Sequence, residues 1–147
     1  MMTADGNDSA PTPVLRPDRT LGPGHDRFWD YCAREELWLP RCDGCGKLHW
    51  PVIAACDACG HGAMTWQQLS GEARLVAWNV FHKDYYKGIL PVPYLTILVE
   101  LAEGPLFMSN PAGLEEADLA PGMALSVRFI PGQDSAGAFK LPVFGRP

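Results

Sequence analysis

Two cysteine knuckles, one amphipathic segment and a series of short alternating apolar segments predict a mainly β fold for this 147-residue chain. In order, we expect an N-terminal helix, a metal ribbon and a five-stranded Greek-key barrel of the OB type. A chain of this length buries roughly two thirds of its unfolded surface, which is enough for one modest core. The predicted divisions are a flexible arm at 1–23, a helical segment at 24–40, a ribbon at 41–65 and a barrel at 66–147.

The N-terminal part combines the arm with the helix. The first 23 residues are rich in Pro, Asp, Gly, Ser and Thr and hold almost nothing to bury, which predicts flexibility. From His25 to Leu37, apolar side chains recur at helical spacing, and Pro40 is expected to end the helix. Phe28, Trp29 and Cys32 form an apolar face, rich in aromatic rings, that must be covered either by the chain's own core or by a partner subunit. We expect the Cys32 thiol to be buried and unreactive.

Four cysteines form two C-x-x-C-G motifs, and this arrangement presents four thiolates to one tetrahedral metal ion. The predicted ligands are Cys42, Cys45, Cys56 and Cys59. The glycine after each pair can adopt the positive φ angle that a knuckle turn needs. Residues 47–55 are expected to form a small hairpin between the pairs. Because a closed four-sulfur site leaves no position for a substrate, we expect a structural zinc, with iron as the open alternative.

Other uses of these side chains are disfavoured. Disulfides suit secreted proteins, and the N-terminus shows no signal-peptide pattern. A redox pair would open a helix after a strand, whereas here two copies stand close together and glycine follows each. The histidines are not spaced as paired ligands, and we interpret them first as packing, capping or surface residues. They are His25, His49, His61 and His82.

After the ribbon, the hydrophobic period changes from helical spacing to two. The predicted strands are Ala73–Phe81, Tyr94–Leu101, Leu106–Met108, Met123–Ile130 and one near Phe139–Phe144. A short helical turn is expected at Leu114–Leu119. The first strand is expected to set Val76, Trp78 and Val80 against Leu75, Ala77 and Phe81. Five short antiparallel strands with one helical insert suit an OB-type barrel.

Charge and hydropathy limit the function classes. The formal net charge is −5 and the twelve Lys and Arg residues are scattered, so nucleic-acid binding is disfavoured. No apolar run approaches the roughly 18 residues that a membrane helix needs, and we expect a cytoplasmic chain. No nucleophile elbow or phosphate loop is present, and Glu115-Glu116 is most simply a solvated turn. We therefore expect no intrinsic turnover.

Beyond the knuckles, further motifs follow in a fixed order and spacing. They are Glu36–Gly46, Trp50-Pro51, Cys56–Gly60, Trp66, Ser70-Gly71, Pro93-Tyr94, Val99–Leu101 and Glu103-Gly104. Across roughly residues 24–145 the chain resembles the paired zinc-ribbon and OB-fold proteins, once catalogued as a domain of unknown function, that accompany thiolase-like enzymes. The Pro-rich arm is longer than the family pattern, and we expect a chain without an attached hydratase domain.

The resemblance implies a rubredoxin-like ribbon, a C-terminal OB barrel and a non-catalytic subunit whose thiolase-fold partner holds the nucleophile. Known relatives assist hydroxymethylglutaryl-CoA synthesis, acyl transfer to phenolic acceptors and retro-aldol cleavage of steroid side-chain CoA thioesters. An accessory subunit of an aldolase or acyltransferase acting on acyl-CoA is therefore the expected function. An OB-fold nucleic-acid module and a pure assembly scaffold are the alternatives.

The loop between the first two barrel strands is the expected contact region, because OB barrels use this loop for ligands. Lys83 and Lys87 could meet the phosphates of coenzyme A, while Tyr85 or Tyr86 stacks on adenine. His82 begins the same loop. Contact with a partner protein is the other interpretation, and we favour it because tyrosine is enriched at protein interfaces.

Overall fold

The computed structural model describes residues 12–147, and over this range the chain is mainly β with one α-helix. The helix α1 covers His25–Ala33. The strands are β1 (Val14–Leu15), β2 (Trp38–Cys42), β3 (Met64–Gln68), β4 (Glu72–Phe81), β5 (Tyr94–Leu101), β6 (Leu106–Ser109), β7 (Ala124–Asp134) and β8 (Gly137–Gly145). A 3-10 turn at Glu116–Asp118 lies within the predicted insert. The predicted mainly β class with one helix is confirmed.

The helix is shorter than the apolar spacing predicted. It ends at Ala33, and Glu35 follows with a φ of 60°, the left-handed conformation that commonly ends a helix. We had predicted that Pro40 would end the helix, and this is wrong. Pro40 lies inside β2, opposite Trp66. Proline is accepted there because Pro40 turns its carbonyl, and with it the nitrogen that lacks a hydrogen, away from β3; that carbonyl accepts the His49 N–H on the edge where only one isolated bridge forms. The reversal at Glu35 lets Leu37, the residue just before β2, enter the core.

The ribbon is closed by a sheet that the sequence did not predict. β2 pairs with β3 in antiparallel register from Trp38 opposite Gln68 to Cys42 opposite Met64. The predicted hairpin over residues 47–55 is wrong, since only one isolated bridge, between Arg41 and Leu48, forms in this region. The strand partners of the ribbon therefore flank the two knuckles instead of lying between them.

The large sheet has the order β1-β7-β4-β5-β6, with β8 paired to β7. Its long strands lie where the alternation predicted them. The sixth strand, β1, was not predicted: it runs parallel to β7, with Val14 opposite Gly132 and Leu15 opposite Gln133. A parallel bridge between Pro111 and Phe144 brings the chain after β6 close to β8.

A β-bulge between Leu75 and Ala77 breaks the predicted alternation in β4. Before the bulge, Ala73 and Leu75 are buried, and after it Trp78 packs against the same core while Val76 is exposed. An extra residue in one strand of a pair shifts which side chains face inward. The assignment of Leu75 and Ala77 to one continuous face is therefore wrong.

Residues 12–23 also differ from the expected free arm, and residues 1–11 lie outside the described part of the chain. Arg19 forms a two-pronged ion pair with the buried Asp134, with Nε to Oδ2 at 2.7 Å and Nη2 to Oδ1 at 3.2 Å. Its guanidinium lies 4.2 Å from the ring centroid of Phe139. The Trp29 indole N–H donates to the Thr20 carbonyl at 3.1 Å. We call residues 12–20 the strap.

One hydrophobic core joins the helix, the ribbon and the large sheet. Phe28 lies with its ring centroid 4.2 Å from that of Trp50, and Trp50 lies 5.2 Å from Phe107 of β6. Trp50 stands between the two knuckles in sequence. The ribbon is therefore packed onto the sheet through the segment between its two knuckles.

Candidate metal centre and neighbouring groove

The four knuckle sulfurs lie within 4.8 Å of one another. The Sγ atoms of Cys42 and Cys59 are 3.5 Å apart, and those of Cys45 and Cys56 are 3.6 Å apart. A disulfide needs about 2.05 Å. Metal–sulfur bonds of about 2.3 Å in a tetrahedron place the sulfurs about 3.8 Å apart. The four cysteines therefore fit a four-coordinate metal ion and not a pair of disulfides.

The glycine that follows each cysteine pair has the backbone conformation expected of a knuckle. Gly46 has a φ of 81° and Gly60 a φ of 80°, in the region where a side chain is strained. Their own N–H groups bond to backbone carbonyls: Gly46 donates to the Cys42 carbonyl and Gly60 to the Cys56 carbonyl, both at 2.8 Å. The N–H groups of Gly44 and Ala58 contact the sulfurs instead, at 3.3 and 3.4 Å.

Hydrogen bonds within the knuckles change the acidity of the thiols. The Cys45 N–H is the main cause that lowers the pKa of Cys42 from 9.0 to about 7. For Cys56, burial raises the pKa, but N–H groups of its own knuckle outweigh it and lower the pKa to about 7. The His61 N–H lowers the pKa of Cys59, yet the neighbouring thiols and burial raise it to about 12.

An ion pair joins the two halves of the ribbon next to the sulfurs. Lys47 Nζ lies 2.7 Å from Asp57 Oδ1. Lys47 directly follows the first knuckle, and Asp57 lies inside the second. His49 lies between these two residues in the sequence, and its side chain is buried. Its Nε2 lies 3.3 Å from Cys56 Sγ. Sequence analysis missed His49 because its spacing matches no ligand pattern, and only the folded ribbon brings it to the sulfur.

The helix residues proposed for a partner interface lie largely inside the chain. Phe28 is 1% exposed and Cys32 is fully buried, while Trp29 is half-buried against Phe139. Burial raises the pKa of the Cys32 thiol to about 12, so this cysteine stays protonated. The chain's own core therefore covers Phe28 and Cys32, which corrects the partner alternative for these two side chains.

The predicted contact loop borders an open groove of about 630 Å³ beside the large sheet. Lys83, Tyr85 and Tyr86 line this groove, and Lys83 Nζ lies 5.2 Å from the ring centroid of Tyr85. His82 and Lys87 are exposed on the same loop and do not line it. The structure thus brings three of the five predicted contact residues together.

The strap supplies the groove with a residue that sequence analysis missed. Arg16 and Pro17 line it, and Arg16 Nη1 donates a hydrogen bond of 3.0 Å to the Tyr94 hydroxyl. Met108, which is exposed on β6, also lines the groove. The alternation in β6 would have found Met108, since Phe107 beside it is buried. Nothing local in the Pro-rich segment could have found Arg16.

A membrane-spanning helix is not found among residues 12–147, since α1 has nine residues.

Comparison with known families matches both halves of the chain. The model of the ChsH2 rubredoxin-like zinc ribbon domain matches residues 29–65. The model of the ChsH2 C-terminal OB-fold domain matches residues 66–129. Together the two models match more than half of the chain without a gap, in the order that the sequence predicted.

Curated relatives are similar at 25–28% identity. The chain is 28% identical over 108 residues to a DUF35 domain-containing scaffold protein of Pyrococcus furiosus, covering 69% of this chain and 74% of that protein. It is 25% identical over 131 residues, 89% of its length, to a probable enoyl-CoA hydratase alpha subunit of Thermomonospora curvata. It is 28% identical over 129 residues, 85% of its length, to the 3-oxo-4,17-pregnadiene-20-carboxyl-CoA hydratase alpha subunit of Mycobacterium tuberculosis. The chain spans only 40% and 41% of the length of these two hydratase subunits.

Solved structures show the same fold. A chain of the Ltp2-ChsH2(DUF35) aldolase superposes with a TM-score of 0.75 at 22% identity, covering 88% of this chain and 98% of that one. A DUF35 protein of unknown function from Sulfolobus solfataricus superposes with a TM-score of 0.55 at 15% identity, covering 74% and 78%. Knuckle geometry, domain order and these matches agree, and the chain belongs to the ChsH2 family of paired zinc-ribbon and OB-fold proteins.

Proposed function

We propose that this chain is a non-catalytic accessory subunit of a thiolase-like enzyme that acts on acyl-CoA thioesters, either an aldolase or an acyltransferase. Family membership carries the proposal, because relatives bear the names of a scaffold protein and of acyl-CoA hydratase subunits, and a similar fold occurs in an aldolase complex. Retro-aldol cleavage of a steroid side chain is one candidate reaction of the partner. The partner supplies the nucleophile.

The absence of turnover in the isolated chain is part of this proposal. Within residues 12–147, groups of three or more close His, Cys, Asp or Glu side chains occur only at the knuckles. General acid–base catalysis needs such groups within reach of one another in a cleft. Four sulfur ligands also leave the metal no open position for a substrate. We propose a structural zinc, whose role is to hold the ribbon.

The groove is the proposed contact of this subunit with the acyl-CoA, the partner or both. It combines the aromatic rings of Tyr85 and Tyr86 with two cations, Arg16 and Lys83, in a chain whose formal net charge is −5. An adenine ring stacks on aromatic side chains, and phosphates pair with Arg and Lys. Tyrosine and arginine are equally typical of protein interfaces. Both uses place the groove towards the partner's substrate entrance.

Replacing the groove cations tests the acyl-CoA contact. In the assembled complex, Arg16→Ala and Lys83→Ala are each expected to weaken acyl-CoA binding about 10-fold, because a charge-assisted hydrogen bond contributes about 1.5–3 kcal/mol. Lys87→Ala is the matched control, since Lys87 belongs to the same loop but does not line the groove. Isothermal titration of acyl-CoA into each complex measures the effect. Unchanged affinity with intact assembly would leave the groove as a protein contact only.

Partner identity tests the function itself. We expect a tagged chain, purified from its source cells and measured by native mass spectrometry, to carry a thiolase-fold subunit at fixed stoichiometry. Assembly that does not respond to acyl-CoA would favour the scaffold alternative. Co-purified nucleic acid, or a monomer with metal alone, would contradict the accessory role. Two cations in the groove are few for tracking a phosphate backbone, which is why the nucleic-acid alternative ranks lower.

The internal division of the chain is also kept as a proposal. We divide the helical segment at 24–40 from the ribbon at 41–65 and a five-stranded Greek-key barrel at 66–147. The Pro111–Phe144 bridge supports closure of the sheet, because it joins the segment after β6 to β8. Strand β3 crosses the boundary at residue 65, so we expect the ribbon and barrel to unfold together.

A further inference from the structure

His49 is a buried polar residue whose role the four ligands do not explain. Its side chain is 4% exposed, and its neighbours Leu48 and Trp50 pack against the hydrophobic core. Its backbone N–H donates to the Pro40 carbonyl at 2.9 Å, which fixes the segment against β2. A buried imidazole needs hydrogen-bond partners, because losing water without replacement is unfavourable.

The partner of one ring nitrogen is a metal ligand. Nε2 lies 3.3 Å from Sγ of Cys56, within hydrogen-bond distance for sulfur. Nδ1 lies 3.9 Å from Oδ1 of Asp57, too far for a direct hydrogen bond. Asp57 is itself held by Lys47 at 2.7 Å. The Nε2 edge of the ring therefore contacts the Cys56 sulfur, whereas the Nδ1 edge makes no direct hydrogen bond to the Asp57 carboxylate.

Chemistry fixes which atom carries the proton when the metal is bound. A metal-bound thiolate has no proton and can only accept a hydrogen bond. Nε2 must then be the donor. Cys56 Sγ also accepts the Ala58 N–H at 3.4 Å, so this buried sulfur receives donors from both a backbone and a side chain.

We propose that His49 is a positioning residue of the metal centre: its Nε2–H donates to the Cys56 thiolate, orients that ligand and slows loss of the metal. Donors outside the ligand set stabilise the negative charge on a coordinating atom and fix its direction. The inference concerns the ribbon alone. It stands or falls independently of the partner and of acyl-CoA.

Two substitutions in the full-length chain separate hydrogen bonding from packing. His49→Phe keeps a ring of similar size and removes the donor, whereas His49→Gln keeps an N–H of comparable reach. His61→Phe is the matched control, because His61 lies beside the second knuckle but is exposed and accepts the Ala63 N–H at 3.1 Å. Zinc affinity is measured by competition with a chromophoric chelator. The sulfur-to-cobalt charge-transfer band of the Co²⁺-loaded protein reports on the thiolate directly.

For His49→Phe we expect zinc affinity to fall about 10- to 100-fold and the cobalt band to move to lower energy. His49→Gln and His61→Phe should remain close to the unmodified protein in both measurements. If His49→Phe takes up no metal at all, recovery by His49→Gln still supports the donor role. An unmoved band or unchanged affinity in His49→Phe, or an equal loss in His49→Gln, would overturn it.

Discussion

Replacing Cys42 with alanine is expected to remove the metal and unfold the ribbon. Cys42 is fully buried, and its sulfur lies 3.5 Å from that of Cys59. Without Cys42, three ligands would remain, and water could not easily take the buried fourth position. Structural zinc sites contribute about 10 to 16 kcal/mol of apparent binding free energy at neutral pH, and this energy is part of folding. The free energy lost when one ligand is removed should therefore exceed the free energy of unfolding of a chain of this size.

The effect should extend beyond the ribbon. Trp50, between the knuckles, packs on Phe28 of the helix and Phe107 of the large sheet. Releasing it would open the core that all three parts share. We expect elemental analysis to show about one zinc per unmodified chain and none in Cys42→Ala, and near-ultraviolet circular dichroism to lose its aromatic signal.

Cys32→Ala is the matched control for this experiment. Cys32 is equally buried but lies in the helix, outside the sulfur cluster. Removing its thiol should cost about 1 kcal/mol, because a small cavity forms, and leave the zinc in place. A Cys42→Ala protein that retains stoichiometric metal would contradict the four-cysteine site.

Replacing Asp134 with asparagine is expected to release the strap. Both carboxylate oxygens of Asp134 contact the Arg19 guanidinium, and its side chain is fully buried. Hydrogen bonds to charged groups contribute about 1.5–3 kcal/mol, so we expect a loss of about 2–3 kcal/mol. For a chain of this size that lowers the melting temperature by about 5–10 °C. Trypsin should also cleave after Arg19 faster.

The same ion pair predicts how stability depends on pH. Hydrogen bonds from Arg19 lower the pKa of Asp134 from 3.8 to about 2. A carboxyl with a depressed pKa in the folded state stabilises the protein fully above its unfolded pKa. This contribution should be lost as pH falls from about 4 towards 2. Denaturant unfolding at several pH values should show a steeper loss of stability over this range in the unmodified protein than in Asp134→Asn.

Lys140→Met provides the matched control, since it removes an ion pair of similar length at the surface. Lys140 lies 2.7 Å from Glu35, and both side chains are substantially exposed. Exposed pairs contribute about 0–1 kcal/mol. If Asp134→Asn were no more destabilising than Lys140→Met, the strap would not be held by this contact.

Much of the site and of the large sheet could be predicted because the information is local. Two residues between paired cysteines are enough to turn both sulfurs towards one point, so Cys42, Cys45, Cys56 and Cys59 were identifiable from spacing alone. Alternation over Tyr94–Leu101 reflects a strand with one buried face, and the structure buries Ile97, Val99 and Leu101. Such patterns record which face of an element meets the core, and they require no knowledge of the partner element.

The end of the helix and the bulge in β4 depended on the tertiary structure. Apolar spacing continued to Leu37, but Leu37 reaches the core from the connection just before β2, after Glu35 reverses the chain. Likewise, the bulge after Leu75 lies where β4 has left β7 and continues beside β5 alone. Periodicity cannot distinguish these cases, because a buried residue looks the same in sequence whichever element delivers it.

By itself, the sequence determined the four cysteines that fit a metal site, the order of helix, ribbon and sheet, and the family to which the chain belongs. Only the tertiary structure decided that Arg19 would meet Asp134, 115 residues away, that Arg16 would line the groove, and that His49 would face the Cys56 sulfur. Each of these is a single polar contact between segments distant in the chain or turned towards each other by folding. A polar side chain shows no periodic signal, and its partner is defined only when packing fixes the geometry between them.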